Sequence, residues 1–145
     1  MNYETHIDTY LFSNDKLKLQ IPVIHNYLAN ESYWAKNIPL ETLKRAIDGS
    51  LCFAIYNDKT QIGFCRVITD NATFAYLADV FIIETYRGKG LSVQFMQYVF
   101  DYPTLKKLRR FMLATKDAHT LYSKFGFTPL LTPDRFMEIK PFESY

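Results

Sequence analysis

The chain has 145 residues, 48% of them hydrophobic and 17% aromatic, enough to fold around a core without disulfide or metal staples. Its 17 basic and 15 acidic side chains leave a net charge of +2, too small to demand a nucleic-acid partner. No stretch approaches the ~18 consecutive apolar residues of a membrane span, and residues 1–10 (MNYETHIDTY) lack the apolar core of a secretory signal, which points to a cytoplasmic protein without membrane contact.

In chain order, residues 6–13 (HIDTYLFS) alternate weakly and predict a first strand. Pro22 suits the first turn of a helix whose apolar face is Val23, Ile24, Tyr27 and Leu28. Residues 31–38 read as a loop carrying Tyr33 and Trp34, the chain's one tryptophan. Pro39 opens a second helix, with Leu40, Leu43, Ala46 and Ile47 at helical spacing and Gly49 as its stop. Strands are expected at 51–56, 61–69 and 73–83, joined by turns short enough to make them antiparallel neighbours. A two-residue turn at 58–59 pairs Asn57 with Thr60 and, counting outward, Cys52 with Cys65. Neither cysteine has zinc-site spacing, and both are expected as free thiols.

Residues 90–101 predict a third helix with Leu91, Phe95 and Val99 on one face. A strand at 108–114 follows a helix and so can lie parallel to the strand at 73–83. A short helix at 117–124 is stopped by Gly126, and two short strand candidates remain at 127–130 and 135–139. With no repeat or linker, residues 1–145 are expected to form one α/β (or α+β) domain, a mixed sheet with packed helices. The basic run at 106–110 (KKLRR) reads as a turn and strand start with solvated charges.

One stretch carries chemistry. The strand ending near Ile83 gives way to Arg87-Gly88-Lys89-Gly90, and a helix begins at once. The first N–H groups of a helix are unpaired and carry partial positive charge, glycines let a ligand approach the backbone, and Arg87 and Lys89 add full charges. These features make an anion site, most simply for phosphate. The third glycine of the dinucleotide fingerprint is absent, as is the Gly-Lys-Ser/Thr of a P-loop.

Arg87-Gly88-Lys89-Gly90-Leu91-Ser92 resembles the Arg/Gln-x-x-Gly-x-Gly/Ala signature of the GNAT superfamily of acetyl-CoA-dependent N-acetyltransferases, with Ser92 at the last small position. Residues 118–127 (AHTLYSKFGF) resemble the same family's A-x-x-L-Y-x-x-x-G-F segment, and the element order also agrees. The resemblance implies a GNAT-like mixed sheet, largely antiparallel with a central parallel pair, and helices on both faces. It implies acetyl-CoA as co-substrate, no metal, and direct acetyl transfer to a primary amine of a small molecule or peptide. The strand edge at Val80, Phe81 and Ile82 would then bind the pantetheine arm. Backbone N–H groups from Arg87 through Gly88, Lys89, Gly90 and Leu91 to Ser92 would hold the pyrophosphate. Thr115 stands where the family often has a cofactor-contacting Asn.

By the same resemblance Tyr122 would protonate the departing sulfur, which is reasonable for a phenol of pKa ~10 beside a thiol of ~8.5. Asp79, a lone carboxylate in an apolar run, reads either as the base for the amine or as a structural carboxylate held by backbone N–H groups or an arginine. Glu84 and His119 are weaker candidates, each read as a solvated side chain. Tyr33 and Trp34 would wall the acceptor site or pack into the core, and Phe136 shares that choice. The alternative function is a non-catalytic acyl-CoA-binding sensor or partner module. A homodimer is compatible with either.

Overall fold

The computed structural model describes residues 2–145. Six strands form one sheet in the order β1-β2-β3-β4-β5-β6, antiparallel except for β5–β6. They are β1 (Glu4–Ile7), β2 (Tyr10–Ser13), β3 (Leu51–Asn57), β4 (Thr60–Thr69), β5 (Phe74–Ile82) and β6 (Arg110–Leu113). The single strand expected at 6–13 is instead a hairpin, because Asp8 takes φ 54° and folds the chain back. Asp tolerates that left-handed conformation better than most residues.

Helix α1 (Ile21–Asn26) runs on into a π-helical turn at Tyr27–Glu31, and α2 (Leu40–Asp48) follows the loop. These pack on one sheet face, where Ile24, Leu28, Leu43 and Ile47 meet Cys52, Phe64 and Phe81. Helix α3 (Leu91–Phe100) covers the other face, placing Phe95, Met96 and Val99 against Phe12, Phe53, Ile62 and Cys65. The sheet is thus layered between helices on both faces, as the patterning of alternate strand residues requires. Helix α4 (His119–Ser123) is short and ends before Gly126, which takes φ 95°.

The expected pairing of Cys52 with Cys65 fails for a specific reason. Asn57↔Thr60 and Tyr56↔Gln61 pair as the turn dictates, but the register then slips by one residue and Ile55 faces Gly63. Cys52 consequently faces Arg66, while Cys65 faces Phe53. A one-residue slip sends side chains to opposite sheet faces, so the two thiols lie in different core layers. Both are free and buried.

The tail departs from expectation too. Neither 127–130 nor 135–139 forms a strand. Pro129 and Pro133 interrupt this region and cannot donate to a ladder. Phe136 is taken up instead beneath the Arg110 guanidinium, 4.8 Å from its ring centre. The parallel pair β5–β6 therefore lies at one end of the described strand order rather than at its centre.

Two features of β5 position the site. Its pairing with β6 ends at Leu77↔Leu113, leaving Ala78–Ile82 bonded to β4 alone. Between Phe64↔Phe81 and Arg66↔Ala78, β5 carries one residue more than β4, a bulge at which Asp79 takes φ 56°. Bulges of this kind re-aim a side chain.

Candidate active site

The unpaired edge of β5 opens onto a cavity of about 380 Å³ lined by Val80, Phe81, Ile82, Arg87, Ser92 and Tyr122 among others. One end is the start of α3. Gly90 is its N-cap, no side chain caps it, and Gly88 and Gly90 take φ 78° and 77°. A Cβ at either glycine would meet nothing within 4 Å, so the space before the helix is open. The first N–H groups of α3 and the helix dipole thus face a groove with room for an anion.

Arg87, read from the sequence as adding a full charge beside the anion site, is held by two hydrogen bonds. Its Nε donates to the Ile82 carbonyl at 2.9 Å and a terminal nitrogen donates to the Tyr27 hydroxyl at 2.6 Å. Tyr27 in turn stacks on Phe81 with ring centres 4.1 Å apart. Arg87 thereby ties the end of β5 to the π-helical turn while keeping its charge on the cavity wall. Lys89 is exposed on the loop.

A second cavity, about 540 Å³, shares Tyr33 and Trp34 with the first and is lined by Arg66, Tyr76, Asp79, Thr115 and Tyr145 among others. Thr115 belongs to this cavity rather than the first, and its hydroxyl accepts the Ala118 N–H at 3.0 Å. Tyr33, Trp34, Val80, Asp117, Ala118 and Tyr122 line both cavities.

Tyr122 is 6% exposed, yet among the described residues no group hydrogen-bonds its hydroxyl. Burial pushes its pKa well above the ordinary phenol value, so the proton stays on at neutral pH. Asp79 is committed on both sides. Its Oδ2 accepts from Arg66 Nε at 2.6 Å and its Oδ1 from the Trp34 indole at 2.9 Å. Glu84 and His119 are exposed and line neither cavity.

Neither cysteine lines either cavity. Burial pushes the Cys52 thiol up to about 11 and the Cys65 thiol well above its usual range. Among the described residues no cluster of His, Cys, Asp or Glu could hold a metal, and no helix is long and apolar enough to cross a membrane.

Of the residues singled out in the sequence, Asp79, Tyr122, Tyr33, Trp34 and, from the glycine loop, Arg87 and Ser92 line the two cavities, while Gly88, Lys89 and Gly90 do not. Sequence reading missed Arg66, Tyr27 and Asp117. Arg66 carried one usable signal, an arginine inside an apolar strand, which like Asp79 needs a partner when buried.

Residues 48–129 match the family described as the acetyltransferase (GNAT) domain. A protein of Gibberella zeae, provisionally named an acetyltransferase, is 31% identical over 79% of this chain and 76% of its own. A crystal structure from Xanthomonas campestris, provisionally assigned to the GNAT acetyltransferases, superposes with a TM-score of 0.89 at 48% identity, over 93% of this chain and 95% of that one. A GNAT family acetyltransferase from Elizabethkingia anophelis, solved with acetyl-CoA bound, shares the fold with a TM-score of 0.64 at 16% identity, over 91% of this chain and 88% of that one. Two cavities meeting at a buried tyrosine, beside an uncapped helix start and a half-paired strand, are thus found in a chain that belongs to the GNAT acetyltransferase family.

Proposed function

We propose that this chain, acting as a single domain over residues 1–145, transfers the acetyl group of acetyl-CoA to a primary amine of a small molecule or peptide. The observation that carries the reading is Tyr122, whose unclaimed hydroxyl stands on the wall common to both cavities. A relative of the same fold that holds acetyl-CoA supports the choice of co-substrate.

The residues present fit that molecule. The open space before Gly88 and Gly90, the N–H groups at the start of α3 and the charges of Arg87 and Lys89 suit a pyrophosphate. The edge of β5 from Val80 to Ile82 has backbone groups with no strand beside them, which suits an extended amide-bearing arm. Acetyl-CoA supplies an activated thioester. The amine enters from the Trp34 and Asp79 side, its nitrogen bonds to the carbonyl carbon as the carbon–sulfur bond breaks, and the sulfur takes the Tyr122 proton. The amine's surplus proton leaves to water, and water returns a proton to the Tyr122 phenolate, so the net proton moves from amine to sulfur.

The raised pKa of Tyr122 secures its proton but makes donation harder. A thiolate formed in the same desolvated space is raised as well, which restores the balance. Direct attack is supported by the cysteines, both buried, protonated and absent from the lining of the two cavities. Of the two roles open to Asp79, the geometry favours the structural one, since both oxygens are engaged by Arg66 and Trp34.

Thiol release from acetyl-CoA in the presence of a panel of amines tests the reading. Tyr122→Phe should slow turnover by about 10²-fold or more while CoA affinity changes little. Unchanged turnover removes Tyr122 as the acid. CoA binding by the wild type with no release for any amine supports the non-catalytic module.

A further inference from the structure

Asp79 is 9% exposed and sits on the β5 bulge, where its φ of 56° turns it away from the regular alternation of the strand. Its carboxylate is one link in a longer chain of contacts. Arg66 on β4 donates through Nε to Asp79 Oδ2 at 2.6 Å and through Nη1 to Ser50 Oγ at 3.2 Å. Ser50 donates to the Ala46 carbonyl of α2 at 2.6 Å. Asp79 Oδ1 then receives the Trp34 indole N–H at 2.9 Å. Trp34 stands edge-on to Tyr33, with ring centres 5.0 Å apart at 85°. The Tyr33 hydroxyl accepts the Lys116 N–H at 3.1 Å, beyond the end of β6, and Lys116 Nζ lies 5.2 Å from the Tyr33 ring centre. The contacts therefore run from α2 through β4 and β5 to the 32–38 loop, and across the β5–β6 cleft.

Trp34 and Tyr33 are 41% and 56% exposed. Packing alone does not fix rings that open to solvent, so their placement depends on the hydrogen bonds. The indole N–H is a donor only, and Asp79 is its acceptor. The guanidinium fork of Arg66 sets the direction of Asp79, because two of its nitrogens are held at once. Without that fork a buried carboxylate turns toward water and releases the indole. Both aromatic rings line both cavities, at the level of Tyr122.

We propose that Arg66 is a positioning residue. Acting through Asp79, it fixes Trp34 as the wall between the acceptor cavity and the thioester end of the cofactor groove. This rests on reading the two cavities as acceptor and cofactor sites. The wall keeps water from the thioester until an amine is seated.

Trp34 is the only tryptophan in the chain, so its fluorescence reports the wall directly. The first measurement is acrylamide quenching and emission maximum on the free protein, for the wild type, Arg66→Lys, Arg66→Ala and Asp79→Asn. Arg66→Ala should shift the emission to the red and raise the quenching constant toward that of a fully exposed indole. Arg66→Lys, which keeps the charge and loses the fork, should fall between. Should Arg66→Ala fail to fold, Arg66→Lys and Asp79→Asn decide, because both keep the side-chain volume nearly constant. Emission and quenching equal to wild type in every folded variant overturn the relay. This measurement needs neither cofactor nor acceptor, so the relay stands or falls independently of acetyl transfer.

The second measurement is thiol release from acetyl-CoA with no amine added, in which water attacks the thioester to give acetate and CoA. Arg66→Ala and Trp34→Phe should each raise the rate, and the double variant should be no faster than either alone. Rates equal to wild type overturn the wall. Rates that add in the double variant show Arg66 acting without Trp34 and overturn the relay as its cause.

Discussion

Gly63 shows how closely this fold is specified at single residues. It lies just past the β3–β4 register slip, and a Cβ there would stand 3.0 Å from Ile55 Cδ1 and 3.3 Å from the Phe81 carbonyl oxygen. The Ile55 side chain is fully buried and has little room to retreat. Gly63→Ala should therefore destabilise the protein by about 1–3 kcal/mol, read as a lower urea midpoint. Gly63 pairs with Ile82 two positions from the bulge at which Asp79 meets Arg66. The partners of such residues are the least legible part of the sequence. Arg87 and Tyr27 are 60 positions apart, and nothing in either segment announces their bond. Asp79 and Arg66 each stand as a charge in an apolar run, but their pairing depends on a bulge that alternation alone does not predict.

Elements were legible where their periodicity was long or their punctuation strong. Strands β3, β4 and β5 and helices α2 and α3 fall within a residue or two of expectation, because each has a clear apolar face and a Gly, Pro or Asn-Asp boundary. The tail candidates failed because both are short, Pro129 interrupts the first, and the second has no apolar face to bury. Met137 and Ile139 are almost wholly exposed, and a strand of that length gains nothing without a partner edge. The glycine loop before α3 was the clearest element-level signal, since two glycines at φ near 78° are a geometric demand rather than a preference. Gly90→Ala should cost about 1–2 kcal/mol of stability, because an L-residue resists that φ. It should also weaken CoA binding in a calorimetric titration, because the methyl group enters the space before the helix. Undiminished affinity would place the pyrophosphate elsewhere.

At the scale of the whole molecule, two core layers share one sheet, and both keep ionisable groups neutral. Cys52 is pushed up to about 11 by burial, and Tyr3, Tyr98 and Tyr122 are raised for the same reason. Each loses its proton more readily when unfolded than when folded. The stability they contribute is therefore complete below the unfolded pKa, 9.0 for the thiol, and is lost as pH climbs through the folded value. The urea midpoint should fall steadily from pH 9 to 11, with Cys52 alone accounting for about 2–3 kcal/mol by the upper end. Cys52→Ala should make that fall shallower, and an equal slope would assign the loss to the other groups.

The slip that parts Cys52 from Cys65 has a practical consequence. One thiol is sealed by α1 and α2, the other by α3. A membrane-permeant alkylating reagent, applied in pulses and read by peptide mass, would clock the opening of each helical layer separately, with no engineered probe. If the cavity beside α3 breathes by lifting that helix, Cys65 would register it while Cys52 stayed silent.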